Sequence, residues 1–136
     1  MGKENCCTGG TVLIYSCSGG SDVGQVADLS ARKLSKESFG KMTCLAAIGA
    51  HLSGFVESAK GAGENIAIDG CSVACARKTL EHIGLNPKSY IITDMGYEKG
   101  KTPVTDKTVS EVVNKISVGQ TAKSKKDSNQ NSCCCY

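Results

Sequence analysis

The sequence reads as a small three-layer α/β domain, with a mostly parallel four-stranded sheet between flanking helices. Three observations predict this. Short apolar runs recur along the chain, each followed by small residues and then by a stretch of helical apolar spacing, which is the signature of βα units on a parallel sheet. The length of 136 residues is that of one ordinary domain. Finally, a hydrophobic fraction of 40% with only 4% aromatic residues and no Trp predicts a core of Ile, Val, Leu and Ala.

Taken in order, TVLIYS (11–16) is a buried strand and CSGGSD (17–22) its turn. Residues 22–37 form a helix, because Val23, Val26, Ala27, Leu29 or Ser30, and Leu34 fall at helical spacing and Asp22 is placed to cap it. KMTCLAAIG (41–49) suits strand or helix; a short strand near 42–45 and a helix over 47–58 are expected. NIAIDG (65–70) is the third strand, and SVACARKTLEHIG (72–84) a helix closed by Gly84 at the C′ position. The fourth strand, SYIITDMG (89–96), follows Pro87. The last helix spans 106–116, with Thr105 or Asp106 as its cap. Residues 1–10 and 119–136 are polar and sulfur-rich, with too little apolar surface to offset the entropy of ordering them. They read as flexible tails around a domain over 11–118.

Charge and composition exclude several classes. Of the formal +3, residues 119–136 carry +2, from Lys123, Lys125 and Lys126 against Asp127, so the domain itself is nearly neutral. Neither a nucleic-acid partner nor another polyanion is expected. No apolar run approaches the ~20 residues of a membrane helix, and the first residues lack a secretory pattern, so a cytoplasmic, non-membrane protein is expected. Nine Cys is an odd number, which in such a chain argues for thiolate ligands or redox groups rather than a disulfide framework.

In an open parallel sheet, sites form beyond the carboxyl ends of the strands. Cys17, Cys44, Cys71 with Cys75, and Asp94 fall there. Four thiolates suit tetrahedral zinc, at Zn–S distances of about 2.3 Å. The C-x3-C spacing of Cys71 and Cys75 puts both on one helix face, near an N-terminus that stabilises thiolates. Against this stands the plain alternative that some are small core residues, since free Cys is often buried.

Other signals are weaker. GGSDVG (19–24) has the spacing of a phosphate loop, but Gln25 and Val26 stand where Lys and Ser/Thr are needed, so nucleotide binding is not expected. Its glycines instead let the backbone turn around Cys17, with N–H groups able to donate to a thiolate. His82, near its helix end, reads as a surface residue and His51 as an alternate ligand. Asp94 and Tyr97 lie past the fourth strand, in what otherwise reads as a polar loop turning at Gly96. Asp69 and Asp94 are the carboxylates able to orient a bound ligand. Cys6, Cys7, Cys133, Cys134 and Cys135 form a secondary set suited to soft ions such as Cu(I), Hg(II) or As(III).

IDGCSVACARKTLEHIG (68–84), with YSCSGGSDVGQVADLSARKL (15–34) and MTCLAAIGAH (42–51), resembles the DGC-domain family of proposed zinc-binding proteins, named for the triplet Asp69-Gly70-Cys71. The resemblance spans roughly residues 11–104. It implies a bacterial or archaeal metal-binding domain with four cysteine ligands, matched here by Cys17, Cys44, Cys71 and Cys75. The expected function is thus binding of zinc or another thiophilic metal. Two alternatives stay open: a thiol-dependent redox or sulfur/selenium-handling enzyme with Cys71 as nucleophile, or a soft-metal or metalloid carrier. No catalytic residue beyond that is assigned.

Overall fold

The computed structural model describes residues 10–124. The strands are β1 (Val12–Ser16), β2 (Lys41–Met42), β3 (Glu64–Asp69) and β4 (Lys88–Ile91). The helices are α1 (Asp22–Lys36), α2 (Leu45–Gly49), α3 (Ser53–Gly61), α4 (Cys75–His82) and α5 (Asp106–Ser124), and a 3-10 turn covers Ile92–Met95. One sheet in the order β2-β1-β3-β4 joins the strands, and all three ladders are parallel. The central pairing runs from Val12 opposite Glu64 to Ser16 opposite Ile68.

Alternation along β1 and β3 sends successive side chains to opposite faces, and both faces are covered. Ile14, Ile66 and Ile68 pack under α1 and α5, against Val23, Val26, Leu34, Val112 and Ile116. Leu13, Tyr15 and Ala67 pack on the other side against Ile48 of α2, Ala59 of α3 and Leu80 of α4. Fully burying each such aliphatic side chain is worth roughly 1.5–3 kcal/mol. These two apolar layers therefore carry the sheet, and the expected three-layer α/β architecture is the one observed.

Several boundaries move, each for a physical reason. Ser21, not Asp22, caps α1: its Oγ accepts the Gly24 N–H at 3.1 Å. β2 is only two residues long, so Cys44 is not in the strand but precedes α2 as its cap residue. The helix expected over 47–58 is two helices, broken where His51 takes a left-handed backbone (φ 55°). The fourth strand stops at Ile91, where the 3-10 turn begins. Helix α4 starts at Cys75 because Ala74 is left-handed (φ 53°), so Cys71 and Cys75 do not share a helix face. The last helix continues past Ile116 to Ser124.

Two helix ends form as expected. Gly84 (φ 85°) closes α4 with its N–H bonded to Glu81 O, and the Leu85 N–H to Leu80 O, a Schellman pattern. At α5 the Thr105 Oγ1 accepts the Thr108 N–H at 3.3 Å, so Thr105 is the cap.

Candidate functional site

The strand order reverses between β1 and β3. From β1 the chain passes to α1 on one face of the sheet, and from β3 to α4 on the other. Doubly wound sheets bind ligands at the carboxyl edge where the strand order reverses in this way. Cys17 and the triplet Asp69-Gly70-Cys71 stand on either side of that point.

Cys17 directly follows β1, and its N–H extends the ladder to Ile68 O at 3.1 Å. Its Sγ accepts the Gly70 N–H at 3.4 Å. Gly70 has no room for a side chain: a Cβ there would lie 2.6 Å from Gly24 N and 2.7 Å from Val23 C. Gly24 is similarly constrained, with a Cβ falling 2.8 Å from Gly19 O. The glycines thus let the post-β3 loop touch the first turn of α1, and this contact brings the Cys17 thiol beside the residue preceding Cys71. The amide at the sulfur comes from Gly70 and not from the GGSDVG turn.

Asp69 is buried at the end of β3, and its two carboxylate oxygens accept the N–H groups of Ala76 at 2.7 Å and Arg77 at 3.1 Å. These are first-turn amides of α4, which otherwise lack partners. The carboxylate is therefore spent on holding the helix. Cys71 lies in the turn between them and accepts the Ala74 N–H on its carbonyl at 3.0 Å. The Lys99 Nζ stands 3.8 Å from the Cys71 Sγ. The loop carrying Lys99 is clasped by Asp22, which accepts the N–H groups of Gly100 at 2.9 Å and Thr102 at 2.8 Å. The Gly100 amide, followed by that of Thr102, holds the Asp22 carboxyl below the usual range.

Cys44 immediately precedes α2. It shares with Cys17 an open cleft of about 1030 Å³ between α1 and α2, whose wall includes Ser18, Asp28 and Arg32. Burial pushes Asp28 upward, but hydrogen bonds from Arg32 and Ser18, both at 2.8 Å, outweigh it and leave the carboxyl low. Cys44 and Cys75 are exposed, while Cys17 and Cys71 are half-buried, and all four are free thiols.

The edge therefore holds four thiols from three βα units. As placed, no three Cys, His, Asp or Glu side chains converge as a coordination group among the described residues. The donor chemistry fits a thiophilic ion, but the arrangement is spread along the edge and is not a closed cage. Asp94 is exposed in the 3-10 turn, and Gly96 (φ 94°) ends that turn. The Tyr97 hydroxyl donates to Glu111 Oε2 at 2.7 Å. His51 stands beside His82 and not beside the thiols. Cys6, Cys7, Cys133, Cys134 and Cys135 lie outside the described residues. Lys99 and the clasp made by Asp22 were not visible as site features in the sequence, because their contacts span 28 to 80 residues, whereas the Asp28–Arg32 pair carries a local signal in its i,i+4 spacing.

A parallel sheet whose switch point is lined by free thiols defines a thiol-bearing α/β domain. The chain belongs to the DGC domain family, which it matches over residues 13–116. It is similar to the "Anaerobic and virulence modulator AnvM" of Pseudomonas aeruginosa, at 30% identity over 88 residues, 64% of this chain and 67% of the relative. No solved structure matches the chain significantly. Among the described residues no helix is long and apolar enough to cross a membrane.

Proposed function

We propose that this domain binds a thiophilic metal ion, zinc in the first instance, at an open thiol site on its switch point. Cys17, Cys44, Cys71 and Cys75 are its ligands in this reading. The observation that supports it is that four free cysteines from three βα units each lie just past a strand end, the edge where such sheets take ligands, although they are not grouped as placed. Cys17 and Cys71 form the fixed floor, since the Gly70 contact holds their loops together. Cys44 and Cys75 sit exposed at the starts of α2 and α4, which pack on the same face of the sheet, and Cys44 would move to close over an ion. Bound zinc would tie three βα units together through sulfur, a ligand it prefers. A cytoplasmic location, where thiols stay reduced, belongs to the same proposal.

One contact favours a second reading. The Lys99 ammonium beside Cys71 suits a thiolate nucleophile, as a thiol-dependent redox or sulfur-handling enzyme would use. Zinc per chain, measured on residues 10–124 after reducing, metal-replete purification, separates the two. The metal reading expects a stoichiometry near one that falls towards zero in Cys17→Ser and Cys71→Ser. A stoichiometry near zero in the parent, with Cys71 alone alkylating fast, would remove the zinc reading and favour the enzyme reading.

A further inference from the structure

We propose that His51 and His82 form a second metal site, separate from the thiols, which takes a borderline divalent transition ion on two imidazole nitrogens. They are the two histidines of the chain. Although far apart in sequence, their ring centroids lie 5.7 Å apart with the planes at 64°. The fold mounts them on two packed helix ends. His82 is the last residue of α4, and His51 follows the end of α2, its N–H bonded to Ile48 O at 3.0 Å. Ile48 and Leu80 join those two helices in one apolar cluster, so the rings stand on a packed base.

The geometry suits chelation. An ion about 2.1 Å from one nitrogen of each ring sets the centroids on the order of 5 Å apart, which a small side-chain rotation achieves from 5.7 Å. Both rings are exposed and line one hollow of about 300 Å³, so water can fill the remaining positions. No cysteine lines that hollow, which makes it a different site from the thiol edge. The carbonyl end of α4 carries partial negative charge, favourable to a cation. Lys78 lines the same hollow, but its ammonium is exposed on a flexible stem and can turn to solvent. His51 also holds a left-handed backbone, a conformation uncommon outside glycine and concentrated at ligand sites. Imidazole suits borderline ions such as Ni(II) and Cu(II), while thiolates take zinc and the softest ions, so Ni(II) is the probe for this site.

The test is a Ni(II) titration of the untagged full chain, followed by proton NMR of the imidazole signals. Only two residues contribute to that region, so each is read directly. The hollow adjoins the Cys17 and Cys44 cleft at Gly49 and Thr79, so Ni(II) on thiols can add broadening that does not depend on the partner imidazole, and the single-histidine variants separate the two contributions as the titration continues into excess. Both histidines should broaden together, with one saturation curve. His82→Gln should weaken the response of His51 at least about tenfold, the loss expected for removing a metal-site partner. His51→Asn should do the same to His82, and Asn tolerates the left-handed backbone. Signals that stay sharp in excess Ni(II) would overturn the proposal. So would a His51 response unchanged by loss of His82, in a variant whose melting curve matches the parent.

Discussion

Replacing Asp69 by Asn isolates what the first residue of the DGC triplet does. Asp69 is 1% exposed and accepts two amides of the first turn of α4. The cap residue Ala74 offers no side-chain bond, so this carboxylate, reaching from β3, is what satisfies that end of the helix. Asn keeps the size but presents one acceptor and an NH2 group, so either Ala76 or Arg77 would face a donor. The loss is roughly 2–4 kcal/mol, from one charge-assisted bond plus part of the desolvation cost of the amide left unpaired. For a domain of this size each kcal/mol moves the midpoint by roughly 4 °C, giving a fall of roughly 8–16 °C. Thermal unfolding of the apo protein in the presence of a chelator reads this directly, and a zinc titration runs beside it. A fall of less than about 2 °C, together with altered zinc affinity, would refute the reasoning and make Asp69 a group that acts on the ligand.

Gly70→Ala should cost roughly 1–3 kcal/mol, the usual range for overpacking, because its Cβ would meet backbone at 2.6 and 2.7 Å. Chemical denaturation and the alkylation rate of Cys17 check it; an unchanged midpoint would show that the loops part freely. Acid should weaken the Asp22 clasp. The Gly100 and Thr102 amides hold that carboxyl low, so its contribution to stability is complete above its unfolded value of about 3.9 and is lost as pH falls through the lowered one. Asp22→Asn should therefore lose less stability than the parent between about pH 5 and 3, and parallel melting curves over that range would contradict the assignment. Removing zinc with a chelator should free thiols to a disulfide reagent while lowering the melting temperature only slightly, since two apolar layers already support the sheet. Unfolding of the metal-free protein at room temperature would instead indicate a closed structural site.

The sheet was legible where local pattern and tertiary role agreed. The runs over 11–16 and 65–70 are central strands buried on both faces, and the small-residue turn with Val23, Val26 and Leu34 after it fixed α1. Legibility failed where distant partners set the backbone. Nothing in an Ala at position 74 signals a left-handed residue, yet Asp69 draws the amides of Ala76 and Arg77 towards β3, and α4 starts only after Cys71 has passed. β2 is an edge strand of two residues, too short to impose a period on Cys44. Topology puts each of the four cysteines just past a strand end, but they are not grouped among the described residues. It could not supply the sulfur contacts, since Gly70 lies 53 residues from Cys17 and Lys99 lies 28 from Cys71.

Those contacts also indicate where movement would be needed if an ion bound all four sulfurs. Asp69 anchors α4, Gly70 permits backbone contact with α1, and Cys71 presents the thiol, three separate requirements met by consecutive residues. Cys17 shares in the same fixture through its bond from Gly70, so shifting Cys17 or Cys71 would disturb the central β1–β3 pairing or the first turn of α1. Cys44 is less constrained: it is exposed and its side chain caps nothing, although the Thr43 N–H before it is bonded to Ile14 O at 3.0 Å. Cys75 is exposed at the start of an eight-residue helix. That helix start is itself held, since Cys75 sits between buried Ala74 and Ala76 and Asp69 binds the next two amides, so closure over a metal would fall mainly on the segment bearing Cys44. A site with one adjustable thiol beside fixed ones would suit an ion that must be taken up and released better than one that must be held for the life of the fold.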